Sequence, residues 1–364
     1  MNKLKNISGK IVIGNKIKSG TIFFDEVIKK IIFNKKKSYK NFIIPGFIDL
    51  HCHGGAGYDS MGGLNSIIKM SNYHLLKGTT TIYPTTVTAK TDDTLKALMG
   101  LNDYIKKNIK LTNIDGVHLE GPFINPKKMG AQPPFAQLPN NNFVNKMIKE
   151  APVKIMTLAP EINKGIDLIK FLNKKGIKAQ IGHSLADFKT CKIAIKNGVG
   201  SFTHLFNAMT GFDHRNPGVG AAAFSNGTFA EIICDLVHVN KEMIKLAAKN
   251  IKKIYAVTDS ISASGMPDGK YNLGTYKVLK KNNIVKLNDD TLGGSIITMN
   301  KVFINLINIG FSIQEAVKMT STNASEYMSY QDIGCIAKNN KANLLNLDSK
   351  FNLKEIFLKG NQIK

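Results

Sequence analysis

The sequence predicts a (β/α)8 TIM-like barrel carrying a small β-sandwich domain built from both chain ends. Three observations carry that expectation. Short apolar runs alternate with helix-period stretches through the middle of the chain, the pattern of parallel βα units. Eight such runs can be drawn, the number that closes a barrel, in a span that suits the ~250 residues one barrel needs. Nearly every run stays apolar until its last residues and then delivers a His, Glu or Asp, as strands do when their C-terminal ends share one mouth.

Taken in order, residues 1–44 read as short β segments, "KIVIG", "GTIFF" and "KKIIF", punctuated by Lys, Gly and Asn. Residues 330–364 read the same way through "NLLNL" and "KEIFLKG". Neither end is long enough to bury a core alone, so the two are expected to pair. Residues 45–329 hold the barrel, with strands at "GFIDLHCH", "TTTIYPTT", "IDGVHLEG", "VKIMTLAP", "IKAQIGH", "SFTHLF", "AEIICDLVHV" and "IYAVTD". Helices such as "LNSIIKMSNYHLLKG", "DDTLKALMGLNDYIKK" and "DLIKFLNKKG" lie between them, and Lys and Gly close several of them as at many helix C-termini.

Composition narrows the functional classes. At 364 residues and 43% hydrophobic, the chain can bury a full core. No run of about 18 uncharged apolar residues is present, so no membrane partner is expected. The N-terminus has lysines but no apolar segment of the secretory type. Cys52, Cys191, Cys234 and Cys335 are widely spaced without a C-x-x-C pair, which points to a reduced, cytoplasmic protein. The formal charge of +24 invites a nucleic-acid reading. The lysines are instead spread along the chain among Asn and Ile, without the aromatic–basic interleaving of single-strand binders, so no nucleic-acid partner is expected. All but one of the 50 cationic residues are lysine; the exception is Arg215 in "GFDHRNPGVG".

The chemistry-bearing residues are the strand-end ones. His51 and His53 in "DLHCH" are two apart, so both imidazoles point to one face, an arrangement that suits one metal ion or two packed structural histidines. "VHLEGP", "IGHS" and "THLFNAM" add Glu120, His183 and His204 at the ends of the third, fifth and sixth strands. Four histidines and a carboxylate at one mouth match the ligand set of Zn²⁺ or Fe²⁺. Asp259 in "AVTDS" ends the eighth strand, where a carboxylate can take a proton from water and return it to a leaving group, or simply cap a helix.

At these residues the chain resembles the N-acetylglucosamine-6-phosphate deacetylases of the amidohydrolase superfamily. The matching segments are "PGFIDLHCHGG", "VHLEGPFINPKKMGAQPP", "IGHS", "THLFNAMTG", "RNPG", "CDLVHV", "VTDSISASG" and "TLGGSIITMN", in family order over about residues 44–300. The resemblance implies a metal on Glu120, His183 and His204, with His51 and His53 leaving room for a second ion. It implies Asp259 as base and then acid, and His238 as a sugar contact that polarises the amide carbonyl. It places Asn207, Ala208 and Arg215 on a substrate phosphate, and Leu292, Gly293 and Gly294 on the sugar. Ala131 and Gln132 of "GAQ" stand where many relatives have "GAH" or "GTH", so Gln132 replaces a sugar-contacting histidine. The implied protein is a homodimeric, cytoplasmic hydrolase of amino-sugar metabolism that releases acetate from a phosphorylated amino sugar. Two alternatives remain at this stage: another amidohydrolase acting on a different N-acyl sugar or cyclic amide, and a Lys-rich nucleic-acid-binding protein with an inactive barrel. A relative that bridges two metals with a modified lysine at the fourth strand's end fits less well, because Lys154 sits at the start of that strand.

Overall fold

The computed structural model describes residues 4–34, 36–107, 109 and 111–364. Six parallel strands form one sheet in chain order: Phe47–Cys52, Thr79–Thr86, Val117–Glu120, Val153–Leu158, Lys178–Ile181 and Val199–Phe202. Phe229–Ile233 and Lys253–Val257 pair in parallel as the seventh and eighth strands. Main-chain bonds join the two groups at both seams. The Leu205 N–H donates to the Glu231 carbonyl, and the Asp259 N–H to the His51 carbonyl, each at 2.9 Å. The eight expected strands thus lie in barrel order.

All eight residues of Thr79–Thr86 are buried, threonines included. A barrel strand is covered on both sides, and β-branched Thr fits that surface; the Thr80 and Thr85 hydroxyls donate to the Phe47 and Tyr83 carbonyls. The helices between strands carry apolar stripes inward, as in Gly165–Lys174, where Leu168, Ile169 and Leu172 are buried. Among the described residues no helix is long and apolar enough to cross a membrane.

Both chain ends enter one seven-stranded sheet, in the order Asn361–Gln362, Leu353–Leu358, Leu344–Leu347, Phe42–Pro45, Lys5–Ile13, Lys16–Phe24 and Ile28–Phe33. Leu344–Leu347 runs antiparallel to Phe42–Pro45, which is where the C-terminal part meets the N-terminal part. Ile7, Ile11, Ile22, Phe24, Ile43, Leu344 and Phe357 form a separate apolar cluster in this unit. Phe42, Phe351, Phe303 and Phe47 then bridge from sheet to barrel, with ring centroids 5.4–5.9 Å apart from one to the next.

Two features depart from the sequence reading. The seventh strand stops at Ile233 rather than running on to His238. Asp235 accepts the Val237 and His238 N–H groups at 2.9 Å each, and that side-chain turn replaces the ladder. A three-stranded antiparallel insertion, Gly269–Leu273, Tyr276–Lys281 and Ile284–Lys286, also follows the eighth strand. Buried Lys280 ties it down by donating to the carbonyls of Ala263 and Met266.

Phe303 is fully buried at the bridge between sheet and barrel. Phe303→Ala is expected to cost about 3–5 kcal/mol in urea denaturation. A loss below 1 kcal/mol would mean that the aromatic chain is not what couples the two units.

Candidate functional site

Glu120, the last residue of the third strand, is 2% exposed at the barrel mouth. One carboxylate oxygen lies 3.0 Å from His183 Nε2 and 2.9 Å from His204 Nε2. The other lies 3.0 Å from His53 Nε2 and 3.5 Å from His51 Nε2. Asp259 Oδ1 closes the group at 3.3 Å from His53 Nε2 and 3.5 Å from His51 Nε2. Residues from five strand ends, far apart in sequence, therefore meet within one small volume.

Local backbone puts them there. His183, His204 and Asp259 each follow their strand's end by two residues, with φ of 48°, 30° and 47°. Non-glycine residues held in this left-handed region cost of order 1–3 kcal/mol each, and such strain concentrates at functional sites. The turn swings each side chain off the strand direction and into the mouth. Asp259 is gripped on both sides, its N–H donating to the His51 carbonyl at 2.9 Å and its own carbonyl accepting from the Ser295 N–H at 2.8 Å.

The ring nitrogens settle what this group can hold. His51 Nδ1 lies 3.0 Å from Glu231, His53 Nδ1 2.9 Å from the Thr85 carbonyl and His183 Nδ1 2.9 Å from the Lys128 carbonyl. Each Nδ1 therefore carries the proton it donates, which leaves Nε2 as a lone pair when the ring is neutral. Yet His51 and His53 face one another Nε2 to Nε2 at 3.1 Å, and so do His183 and His204. Between His51 and His53, where both Nδ1 atoms donate, the facing lone pairs repel unless a positive charge lies between them. Imidazole nitrogens and carboxylate oxygens are the donors that Zn²⁺ and Fe²⁺ take, so the residues fit such an ion. Of four such groups among the described residues, two meet at Glu120: one of His51, His53 and Glu120 and one of Glu120, His183 and His204.

Electrostatics say the same. Burial disfavours the imidazolium of His51, but the charges of Glu120, Asp259 and Glu231 override it and push His51 well above its usual range. His53 is raised to about 9: burial opposes the charge, and hydrogen bonds with Asp259 and Glu120 outweigh it. Burial alone would raise Glu120 and Asp259; the histidines instead hold Glu120 well below the carboxylate range and Asp259 at about 2. The pocket demands cationic charge, which protons or metal ions can meet.

A cavity of about 370 Å³ opens above this floor, large enough for a small ligand. His53, Glu120, His183, His204 and Asp259 line its base; His51 lies fully buried beneath. Of the expected substrate contacts, Ala131, Gln132, Asn207, Ala208, His238, Leu292 and Gly294 line its walls. Gly293 does not; it faces Val278 and Val285 of the insertion. Arg215 is in an exposed turn outside the cavity lining. The Gln132 amide has both ends engaged within the chain: its oxygen accepts from the Thr88 N–H at 2.7 Å and its nitrogen donates to Glu120. It braces the bridging carboxylate from the cavity wall, and its second N–H and second oxygen lone pair remain for a sugar hydroxyl.

His238 pairs with Asp235 at 2.7 Å. Burial disfavours its charged form, but the bond and charge of Asp235 prevail and raise it above the ordinary imidazole range. Sequence reasoning missed Lys127 and Lys128, which line the cavity, and Glu231, which is fully buried behind His51. A charged residue inside the apolar run "FAEIIC" was the available signal for Glu231, since a buried charge needs a partner.

Comparison with known proteins follows from this geometry. A model described as the amidohydrolase family matches residues 42–363. The N-acetylglucosamine-6-phosphate deacetylase of Bacillus subtilis is 36% identical over 301 residues, covering 80% of this chain and 76% of that protein. The crystal structure of the enzyme of that name from Thermotoga maritima superposes with a TM-score of 0.93 at 31% identity, covering 99% of each chain. The structure of a Mycobacterium smegmatis mutant of that enzyme, in complex with N-acetyl-D-glucosamine-6-phosphate, also gives 0.93, at 25% identity and 99% coverage of each chain.

Gly294 backs directly onto the site. Its φ is +77°, and a Cβ there would meet Ile261 Cγ2 at 2.7 Å and the Asp259 carbonyl at 3.2 Å. Gly294→Ala is expected to lower stability by about 1–3 kcal/mol and to weaken zinc uptake by displacing Asp259. Wild-type melting and wild-type zinc affinity together would refute that coupling.

Proposed function

Because the chain belongs to the amidohydrolase family, we propose that it hydrolyses the acetamide of N-acetyl-D-glucosamine 6-phosphate to D-glucosamine 6-phosphate and acetate. It is a hydrolase acting on an amide and serves amino-sugar metabolism. The observation that carries the reading is the Glu120 group, with its facing imidazole pairs and Asp259, at the base of a cavity of about 370 Å³.

The ligands suit zinc or iron, one ion on each side of Glu120. A divalent cation held there polarises the amide carbonyl and lowers the pKa of a nearby water towards about 7. The rest is the work of the chain. Asp259, an anion at neutral pH, takes the proton of the attacking water as its oxygen bonds to the carbonyl carbon. The carbon–nitrogen bond then breaks, and Asp259 returns that proton to the departing amine. His238 donates to the carbonyl oxygen as negative charge grows there, and the Asp235 carboxylate beside it favours the charged ring that does so.

The 6-phosphate is read by Asn207 and Ala208 at the wall and by Arg215. A guanidinium fork grips two phosphate oxygens in a way that lysine does not. In a single chain Arg215 stands outside the cavity lining, so it reaches the phosphate when its turn closes over the mouth or when a second copy presents it. Four free cysteines support a reducing, cytoplasmic setting. The seven-stranded sheet supports residues 1–44 and 330–364 as one small domain and 45–329 as the catalytic barrel.

Purified protein should release acetate from N-acetylglucosamine 6-phosphate far faster than from the unphosphorylated sugar, and a chelator should stop it. Asp259→Asn should lower kcat by about 10²–10⁴-fold; full activity in that variant would sink the mechanism. Arg215→Lys should raise KM much more than it lowers kcat, and an unchanged KM would remove Arg215 from the phosphate. Asp235→Asn removes the charge that raises His238, so the alkaline limb of kcat/KM should move to lower pH. A limb that stays in place would show that His238 is not the group titrating there.

A further inference from the structure

Glu231 is a fully buried carboxylate on the seventh strand that the reaction described above does not use. Its surroundings are unusual for a residue of mere interior polarity. One side-chain oxygen accepts from His51 Nδ1–H at 3.0 Å and from the His204 main-chain N–H at 3.2 Å. Its main-chain carbonyl takes the Leu205 N–H at 2.9 Å. It stands at the seam where the six-stranded sheet meets the seventh and eighth strands, and it reaches across to the first strand. Thus one residue joins a barrel seam to the ring of His51 in one half of the site and to the main chain of His204 in the other.

The direction of its effect follows from the protons. On the His51 side, Glu231 fixes Nδ1 as the donor and so aims the Nε2 lone pair at His53, Glu120 and Asp259. On the His204 side it holds only main chain, leaving that ring's Nδ1 without a partner. Glu231 is not itself a cation ligand with His118, although the two are close. Both His118 nitrogens are engaged, by the Leu50 carbonyl at 3.1 Å and the Thr157 hydroxyl at 2.8 Å.

We propose that Glu231 is a positioning residue that sets cation affinity selectively on the His51/His53 side of Glu120, by locking the tautomer and direction of His51. This rests on the two-cation reading above. A carboxylate behind a metal-binding imidazole holds the ring in place and raises its basicity, and loss of such a partner typically costs 10–100-fold in metal affinity.

The test is zinc affinity, measured by competition with a chromophoric chelator in single-side backgrounds. His183→Ala disables the other side and reports the His51/His53 side; His53→Ala does the reverse. Glu231→Gln, which keeps shape and removes charge, should weaken zinc by about 10–100-fold in the His183→Ala background and leave it unchanged in the His53→Ala background. Tyr255→Phe serves as the control for interior disruption. Its hydroxyl bonds to Glu231 at 3.4 Å and joins Ser201 and Gln180, but it touches no site imidazole. It should leave both affinities unchanged. An equal loss in both backgrounds, no loss in either, or an equal loss with Tyr255→Phe overturns the proposal. A His183→Ala chain that takes up no zinc at all overturns the two-cation reading itself, which is a different result.

Discussion

A buried carboxylate in a protein must be matched by positive charge or hydrogen-bond donors, because leaving it bare in a low-dielectric interior costs several kcal/mol. Glu120 is that carboxylate here, and the mouth of the barrel is organised by the need to satisfy it. His183 and His204 take one oxygen, His53, His51 and Gln132 gather at the other, and every one of these groups is itself buried. The imidazoles cannot satisfy each other, since their Nε2 atoms meet in facing pairs. The cluster therefore closes only around positive charge, and that single requirement connects the fold to hydrolytic chemistry.

The cost of building this cluster is spread over the barrel. Left-handed backbone at His183, His204 and Asp259 is tolerated because parallel strands hold the preceding residues in register and Asp259 is pinned on both sides. Behind the ligands lies a polar interior of Gln180, Ser201, Thr203, Glu231 and Tyr255, whose members satisfy one another by hydrogen bonds. The insertion after the eighth strand adds a wall: Leu273 comes from its first strand, and the segment that follows it brings Leu292 and Gly294 to the cavity.

Charge acts on a longer scale. A net +24 raises the local concentration of an anionic substrate over much of the surface, and Lys127 and Lys128 bring that charge to the cavity wall. Lysine is adequate for attraction, being a solvated point charge. Directional grip on a phosphate is a different demand, and it makes the position of the one guanidinium, Arg215, chemically distinctive in a chain otherwise confined to lysine.

The barrel's order and the identity of its site groups were legible in the sequence because both are local properties. A strand that is apolar until it ends in His, Glu or Asp declares its period and its outgoing end within a few residues, and "DLHCH", "VHLEGP", "IGHS", "THLF" and "VTDS" each did so. Partnership is not local. That Gln132 braces Glu120 and that Glu231 stands behind His51 are consequences of which chain segments touch. The same holds for Arg215, which the sequence places a few residues after "FNAM" and the fold leaves on an exposed turn. Sequence by itself determined the chemical groups and the strand ends that carry them. Only the tertiary structure decided which nitrogen keeps its proton and which oxygen is shared, because those are set by contacts between residues 32 to 180 positions apart.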